Sequence, residues 1–358
     1  MSTRLWTVVG GGGVGKTTTS AALGMCLARA GRRTLVVTVD PARRLADALG
    51  VRLDVRATRV CVDGVELEAR MPDARASVDH FVDWLWLDPA ARDRVRANPM
   101  YQELGNALAG VHEMVSLAVV ENDLASGRFD DVVLDTAPSR HALELFDYPA
   151  KLVKMLDERT LRFMIGLSRL AGAALEERPD ESRLFSWGKR RAGSLVSQLV
   201  GQTAIVNIAA LFVELETARE RWLALVENVE RRLAHPSTRY VVIAAPSGAA
   251  LDDAAYLSAE LLRRRLKPSA LLLNRTRMTP TAWPALGAGD PLAPLIDLLA
   301  KEERQAVKQA QLALERVQSL PGAKRIIHTL PAVDDVDPAR VLSTLSGCLA
   351  QQPWVLAP

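Results

Sequence analysis

The chain has 358 residues, 49% apolar and 24% charged, so it can bury a large core and is not a disordered polymer. Its 45 basic and 42 acidic residues leave a net charge of +3, too small for a protein that coats nucleic acid. That length suits roughly two domains, or one large domain with insertions.

Met1 to Val9 leads straight into a glycine-rich loop and leaves no room for a signal peptide. Leu5–Val9 reads as a buried strand, and Ser20–Ala30 as the helix beyond the loop. Between them, Gly10-Gly11-Gly12-Gly13-Val14-Gly15-Lys16-Thr17-Thr18 fits GxxxxGK[ST], a phosphate-binding loop. Glycines let backbone N–H groups turn inward, and the helix N-terminus adds a positive dipole. Gly12, Gly13, Val14, Gly15, Lys16, Thr17 and Thr18 are the candidate nucleotide contacts. Lys16 would serve the β/γ phosphates and Thr17 would offer a hydroxyl to Mg²⁺. Only eight of the 45 cations are lysines, and Lys16 is the sole one in the first 150 residues. A chain that otherwise writes arginine keeps a compact ammonium here.

Thr34–Val39 is a second apolar strand, ending at Asp40, and Asp131–Leu134 is a third, ending at Asp135. In a parallel sheet both acids reach the edge where ligands bind. Asp135 has the form of a Walker-B acid holding Mg²⁺ through water, and Asp40 could orient or deprotonate an attacking water. The alternative for either is a strand-end aspartate that caps a turn. Tyr240–Ala244, Ala270–Leu273 and Arg325–Leu330 continue the strand series. Residues 76–127 and 148–235 break it with helical periodicity, including a Leu152, Leu156, Phe163, Leu167, Leu170 stripe and a Trp222, Leu225, Val226, Val229, Leu233 stripe. The expected fold is therefore α/β: a mostly parallel P-loop NTPase sheet with helices on both faces and an inserted α-helical subdomain. The core is expected in 1–75, 128–147 and 236–358, and the insert in 76–127 and 148–235. Residues 192–213 carry no charge, which is long enough to nominate a membrane span, but Ser194, Gln198 and Gln202 mark a polar helix face. The chain reads as cytoplasmic, with peripheral association with a membrane left open.

Four segments in order, Gly-Gly-Val-Gly-Lys-Thr-Thr at 12–18, Val-Asp-Pro-Ala-Arg-Arg-Leu at 39–45, Asp-Thr-Ala-Pro-Ser-Arg-His-Ala-Leu at 135–143 and Leu-Leu-Leu-Asn at 271–274, carry a resemblance. They resemble the arsenite-pump ATPase and tail-anchored-protein targeting-factor family, among the deviant-Walker ATPases, and the long form of the second segment looks like its bacterial members. The resemblance implies an ATPase that uses Mg²⁺ and a face-to-face dimer that closes on ATP. Asp40 would act on the attacking water, Asp135 to Pro138 would begin a switch segment, Asn274 would contact adenine, and the loop after Pro331 would border the base.

Two family features are missing. The family carries a second lysine at the position of Gly11, which reaches across the dimer to the partner's phosphates. It also often places a glutamate where this chain has Ser247. Two readings follow: a slow homodimeric ATPase, or a weakly hydrolysing or regulatory subunit paired with a related chain that supplies the lysine. The three cysteines, Cys26, Cys61 and Cys348, form no CxxC pair, which argues against a zinc clasp and against arsenite binding. In the targeting factors the helical subdomains cradle a hydrophobic client. Ile205, Val206, Ile208, Leu211, Phe212 and Val213 are the candidate client surface here, or else subdomain core. The runs Arg263-Arg264-Arg265-Leu266-Lys267 and Lys189-Arg190-Arg191 read as solvated helix faces, and no nucleic-acid partner is expected.

Overall fold

The computed structural model describes residues 3–40, 42–71, 74–99, 101, 109–137, 159, 166, 202–283, 290–320 and 326–356. The first half of the chain forms β1 (Arg4–Gly10), α1 (Lys16–Arg29), β2 (Thr34–Thr38), α2 (Arg44–Leu49), β3 (Thr58–Val62), β4 (Val65–Arg70), α3 (Ala74–Leu85), α4 (Pro89–Ala97), α5 (Ala109–Ala125) and β5 (Asp131–Asp135). The second half forms α6 (Gln202–Thr217), α7 (Arg219–Ala234), β6 (Arg239–Ala244), α8 (Gly248–Arg263), β7 (Pro268–Thr276), α9 (Ala293–Gln318), β8 (Ile327–Pro331), α10 (Pro338–Ala350) and α11 (Pro353–Leu356). All six strands expected from the apolar runs are present.

The strands make one sheet in the order β3-β4-β2-β5-β1-β6-β7-β8, parallel throughout except for β3. The chain crosses from β1 to β2 and leaves a gap that β5 later fills, then grows outward from β1 through β6, β7 and β8. The phosphate loop therefore leaves the middle of the sheet, beside the strand that ends in Asp135. Alternate residues explain the layers. Trp6, Val8, Val36, Val133, Val241 and Ile243 join one apolar cluster with Leu23, Met25 and Leu27 of α1. The intervening Leu5, Val9, Leu35, Val37, Val132, Leu134 and Val242 are just as buried, so the other face is covered too. From Thr19 to Leu27 α1 is buried without a break, wedged among β2, β4, β5 and α10. Gly24 permits this closeness: a Cβ there would stand 2.3 Å from Cγ2 of Val36.

β3 and β4 were not among the expected strands. They form an antiparallel hairpin on the sheet's edge, turning at Asp63-Gly64, both with positive φ (49° and 74°). Asp-Gly between runs rich in β-branched residues is a standard hairpin signal. Polar Glu66 and Glu68 alternate with the buried positions Leu67 and Ala69, as suits an edge.

Contacts divide the chain into two compact units, one of Met1–Asp73, Val120–Leu145 and Arg232–Pro358, the other of Ala74–Val119 and Phe146–Arg231. The first holds the sheet. In the second, the Trp222, Leu225, Val226, Val229 stripe is buried, and Phe81 meets Trp222 edge-on at 5.3 Å. Asp88 caps α4 through Ala90 and Ala91 N–H, with Pro89 at the first helical position. The stripe from Leu152 to Leu170, the run 189–191 and the first part of 192–213 lie outside the described residues. Among the described residues no helix is long and apolar enough to cross a membrane.

Candidate functional site

The carboxyl ends of β1, β2 and β5 meet at one place because the three strands are parallel and in register: Val8 pairs with Asp135, and Thr38 pairs with Asp135 from the other side. After Gly10 the chain turns through Gly13 (φ 73°) and Gly15 (φ 90°) and enters α1 at Lys16. These left-handed conformations strain any residue with a side chain. They let the loop coil over the start of the helix, where free N–H groups and the dipole favour an anion.

Lys16 is buried, and its Nζ donates to the Gly11 carbonyl at 2.8 Å. Burial lowers its pKa, while the charges of Asp135, Asp40 and Asp253 act to raise it. Asp135 is fully buried. Thr38 Oγ1 donates to one carboxylate oxygen at 3.0 Å and Ser20 Oγ to the other at 3.3 Å. Burial pushes its pKa up to about 6, against the pull of Thr17, Thr38, Lys16 and Ser20. Asp40 is half-buried. Its Oδ1 accepts from Ala42 N–H at 2.9 Å, its own N–H donates to Thr38 Oγ1 at 3.1 Å, and Arg44 lies 3.5 Å from Oδ2.

Lys16 and Asp40 face a concavity of about 510 Å³ lined by Gly13, Gly15, Lys16, Thr17, Thr18 and Asp40, together with Arg44, Asp47, Arg275, Asp335, Val336 and Pro338, while Asp135 stays buried and hydrogen-bonded to Thr17. Asn274 lies under the loop: its amide donates to Val14 O at 2.9 Å, and a Cβ on Gly15 would stand 2.4 Å from that nitrogen. Pro331 lines a different recess with Arg277, Met278 and Thr329, whereas Asp335 to Pro338 beyond it reach the concavity. Gly12 is exposed beside Gly13. His141 and the switch residues after Ala137 lie outside the described residues.

Mg²⁺ takes few protein ligands and prefers hard oxygens, with phosphate and water completing its shell. A buried carboxylate with a raised pKa, hydrogen-bonded to the Thr17 hydroxyl at the root of a phosphate loop, fits that ion.

Sequence reading missed Asp253, on α8. A Cβ at position 11 would stand 2.6 Å from Asp253 Oδ2, so a side chain there requires this carboxylate to turn aside. Among the described residues Asp253 has no ion-pair partner. No local pattern links a helix residue to a loop so far back in the chain. Arg44 and Arg275 were also missed as lining residues, though Arg44 lies inside a quoted motif and Arg275 directly follows one. Arg275 adopts φ 58° there, uncommon for a residue with a side chain. Ser247 ends the loop before α8 and makes no side-chain cap bond. Cys26 is buried in α1 with its thiol pKa pushed up to about 11, Cys348 is half-buried against the core, and Cys61 is exposed. Leu211 is buried, Phe212 half-buried and Val213 exposed, while the side chains of Ile205, Val206 and Ile208 lie outside the described residues.

A family model for anion-transporting ATPases matches residues 3–176. The ATPase GET3 of Rhodotorula glutinis is 29% identical over 352 residues, covering 98% of this chain and 88% of that protein. The ATPase get3 of Schizosaccharomyces japonicus is 26% identical over 282 residues, 77% and 75% of the two chains. The ATPase GET3A of Arabidopsis thaliana is 29% identical over 276 residues, 75% and 66%. The family and enzyme class first suggested by four short segments agree with these matches.

Proposed function

As an ATPase of the arsenite-pump and targeting-factor family, this chain, we propose, binds Mg·ATP above the phosphate loop and couples its hydrolysis to closure of a dimer. The observation that carries this is the meeting of Lys16, Thr17 and Asp40 at one concavity, with buried Asp135 hydrogen-bonded to Thr17. Loop N–H groups and Lys16 would hold the phosphates, with Lys16 leaving the Gly11 carbonyl for the ligand. Thr17 and Asp135 would hold Mg²⁺, which neutralises developing phosphate charge. Asp40, kept in place by Ala42 N–H, would orient the attacking water and accept its proton. Asn274 holds Val14 O from below, and Asp335, Val336 and Pro338 would border a base.

A second reading has specific support. Gly11 carries no cation, and a side chain there would require Asp253 to turn aside. A chain of this kind cannot lend its partner a lysine from position 11, so a companion with that lysine would complete the pair. A hydrophobic client remains part of the proposal, resting on the resemblance to targeting factors and on exposed Val213 beside half-buried Phe212 on α6. With no membrane-crossing helix among the described residues, a cytoplasmic setting suits either reading.

Steady-state turnover of Mg·ATP by the purified chain tests the first reading. Asp40→Asn should lower turnover by about 10²- to 10⁴-fold while nucleotide affinity is kept. Equal turnover in wild type and Asp40→Asn would remove Asp40 from the reaction.

A further inference from the structure

The sheet carries another concavity, where β6 and β7 begin. Strand direction puts it at the opposite end of those strands from the phosphate loop. Its volume is about 540 Å³, against about 510 Å³ for the nucleotide concavity, and both fall in the range of small-molecule sites. The two therefore differ in place and lining and not in size.

The lining is one-signed. Arg239, Arg265 and Lys267 contribute cations, and no carboxylate is among the described lining residues. The basic run 263–267 is thereby divided by function. Arg263 and Arg264 are both held by Glu260, which suits a solvated helix face. Arg265 and Lys267 have no such partner among the described residues. Arg265 and Lys267 are solvent-exposed, and two like charges at one concavity attract an anion to it.

The backbone adds an independent sign. Arg265 follows the end of α8 with φ 61°, and Leu266 N–H closes the helix onto Leu261 O at 2.9 Å. Glycine is the usual residue at such a helix end, because a Cβ is disfavoured there. An arginine kept at a glycine position points to a use for its side chain. Arg275, with φ 58°, lines the nucleotide concavity in the same way. The rest of the lining mixes apolar and aromatic Leu233, Tyr240, Leu266 and Trp354 with polar His235, Thr238 and Ser269.

We infer that this concavity is a second anion site, binding a phosphate ester with an apolar body and distinct from the ATP site. The guanidinium of Arg265, planar and forked, suits two phosphate oxygens, and Lys267 adds a point charge. The apolar body would lie against Trp354 and Leu266. A free phosphate ester and a phosphomonoester lipid headgroup share this chemistry.

The test uses the full chain with Mg·ADP saturating the phosphate loop, so that any further phosphate must bind elsewhere. Butyl phosphate is titrated by calorimetry, and vesicles of phosphatidic acid are compared with phosphatidylcholine by flotation. Whichever probe binds identifies the source. Arg265→Gly is the decisive variant, since glycine suits φ 61° better than arginine. It should keep or raise the melting temperature of the unliganded chain, yet weaken the bound probe by roughly tenfold or more. Arg263→Gln, which removes an equal charge outside the cavity, should leave binding within about twofold. The inference is overturned if neither probe binds, if Arg265→Gly binds as wild type does, or if both variants lose binding alike.

Discussion

Asp135 is surrounded by three hydroxyls and the Lys16 ammonium, yet desolvation outweighs them and holds its pKa near 6. An unfolded aspartate titrates near 3.9, so the folded group is the weaker acid. Above pH 6 the fold therefore bears an ionised buried carboxylate at a cost on the order of 3 kcal/mol. That cost is relieved as pH falls from about 6 towards 4. Mg²⁺ selects the ionised form, so binding near pH 6 should expel a proton. Calorimetry with preformed Mg·ATP, in two buffers of different ionisation enthalpy, should show about half a proton more released per wild-type chain at pH 6 than per Asp135→Asn chain. The difference should vanish at pH 8, and Asp135→Asn without ligand should melt no lower than wild type there. A difference that persists at pH 8 would assign the proton to another group. Lys16, Thr17, Asp40 and Asp135 were legible in the sequence because a loop motif and strand-end position are local facts. Asp253 was not, because its approach to Gly11 is made by packing of α8 alone.

At the scale of elements, the strands along the middle of the sheet could be read from continuous apolar runs, since both of their faces are buried. The β3–β4 hairpin escaped because its exposed edge carries charge, leaving alternation and the Asp63-Gly64 turn as the only signals. Helix α1 was legible as a helix but its depth was not. Ten of its fourteen residues are buried, and it approaches β2 closely enough that Gly24 touches Val36. Ala has the better intrinsic helix propensity, by about 1 kcal/mol, so Gly24→Ala pits propensity against overlap. Overlap at 2.3 Å should win. Urea unfolding should show a net loss of about 1–3 kcal/mol with an unchanged slope. In a Val36→Ala background, which removes the opposing methyl, the same substitution should cost less than half as much. Equal costs in the two backgrounds would mean that α1 shifts away from β2 instead of compressing against it.

At the scale of the whole molecule, the proposed dimer raises the question of what position 11, a glycine here, would offer in trans. Fixed cationic charge at transferring phosphate can be worth about a thousandfold in related chemistry. The chain itself can be converted into the companion it lacks. Gly11→Lys alone would set its ammonium beside the Asp253 carboxylate, which would pair with it, so Asp253→Ala accompanies it to leave the lysine free. Adding Asp40→Asn silences hydrolysis by this triple variant while leaving its phosphate loop able to bind ATP. The helical unit is untouched in all three substitutions, so any client surface stays constant between the two partners. Wild-type chain mixed with the variant, at equal total protein, should turn over Mg·ATP faster per wild-type site than wild-type chain alone. The gain should rise with the fraction of variant and saturate as mixed dimers replace like pairs, which sedimentation of the two differently labelled chains can follow. If mixed dimers form and wild-type sites gain nothing, a lysine in trans has no role here and the reading that pairs this chain with a lysine-bearing companion falls.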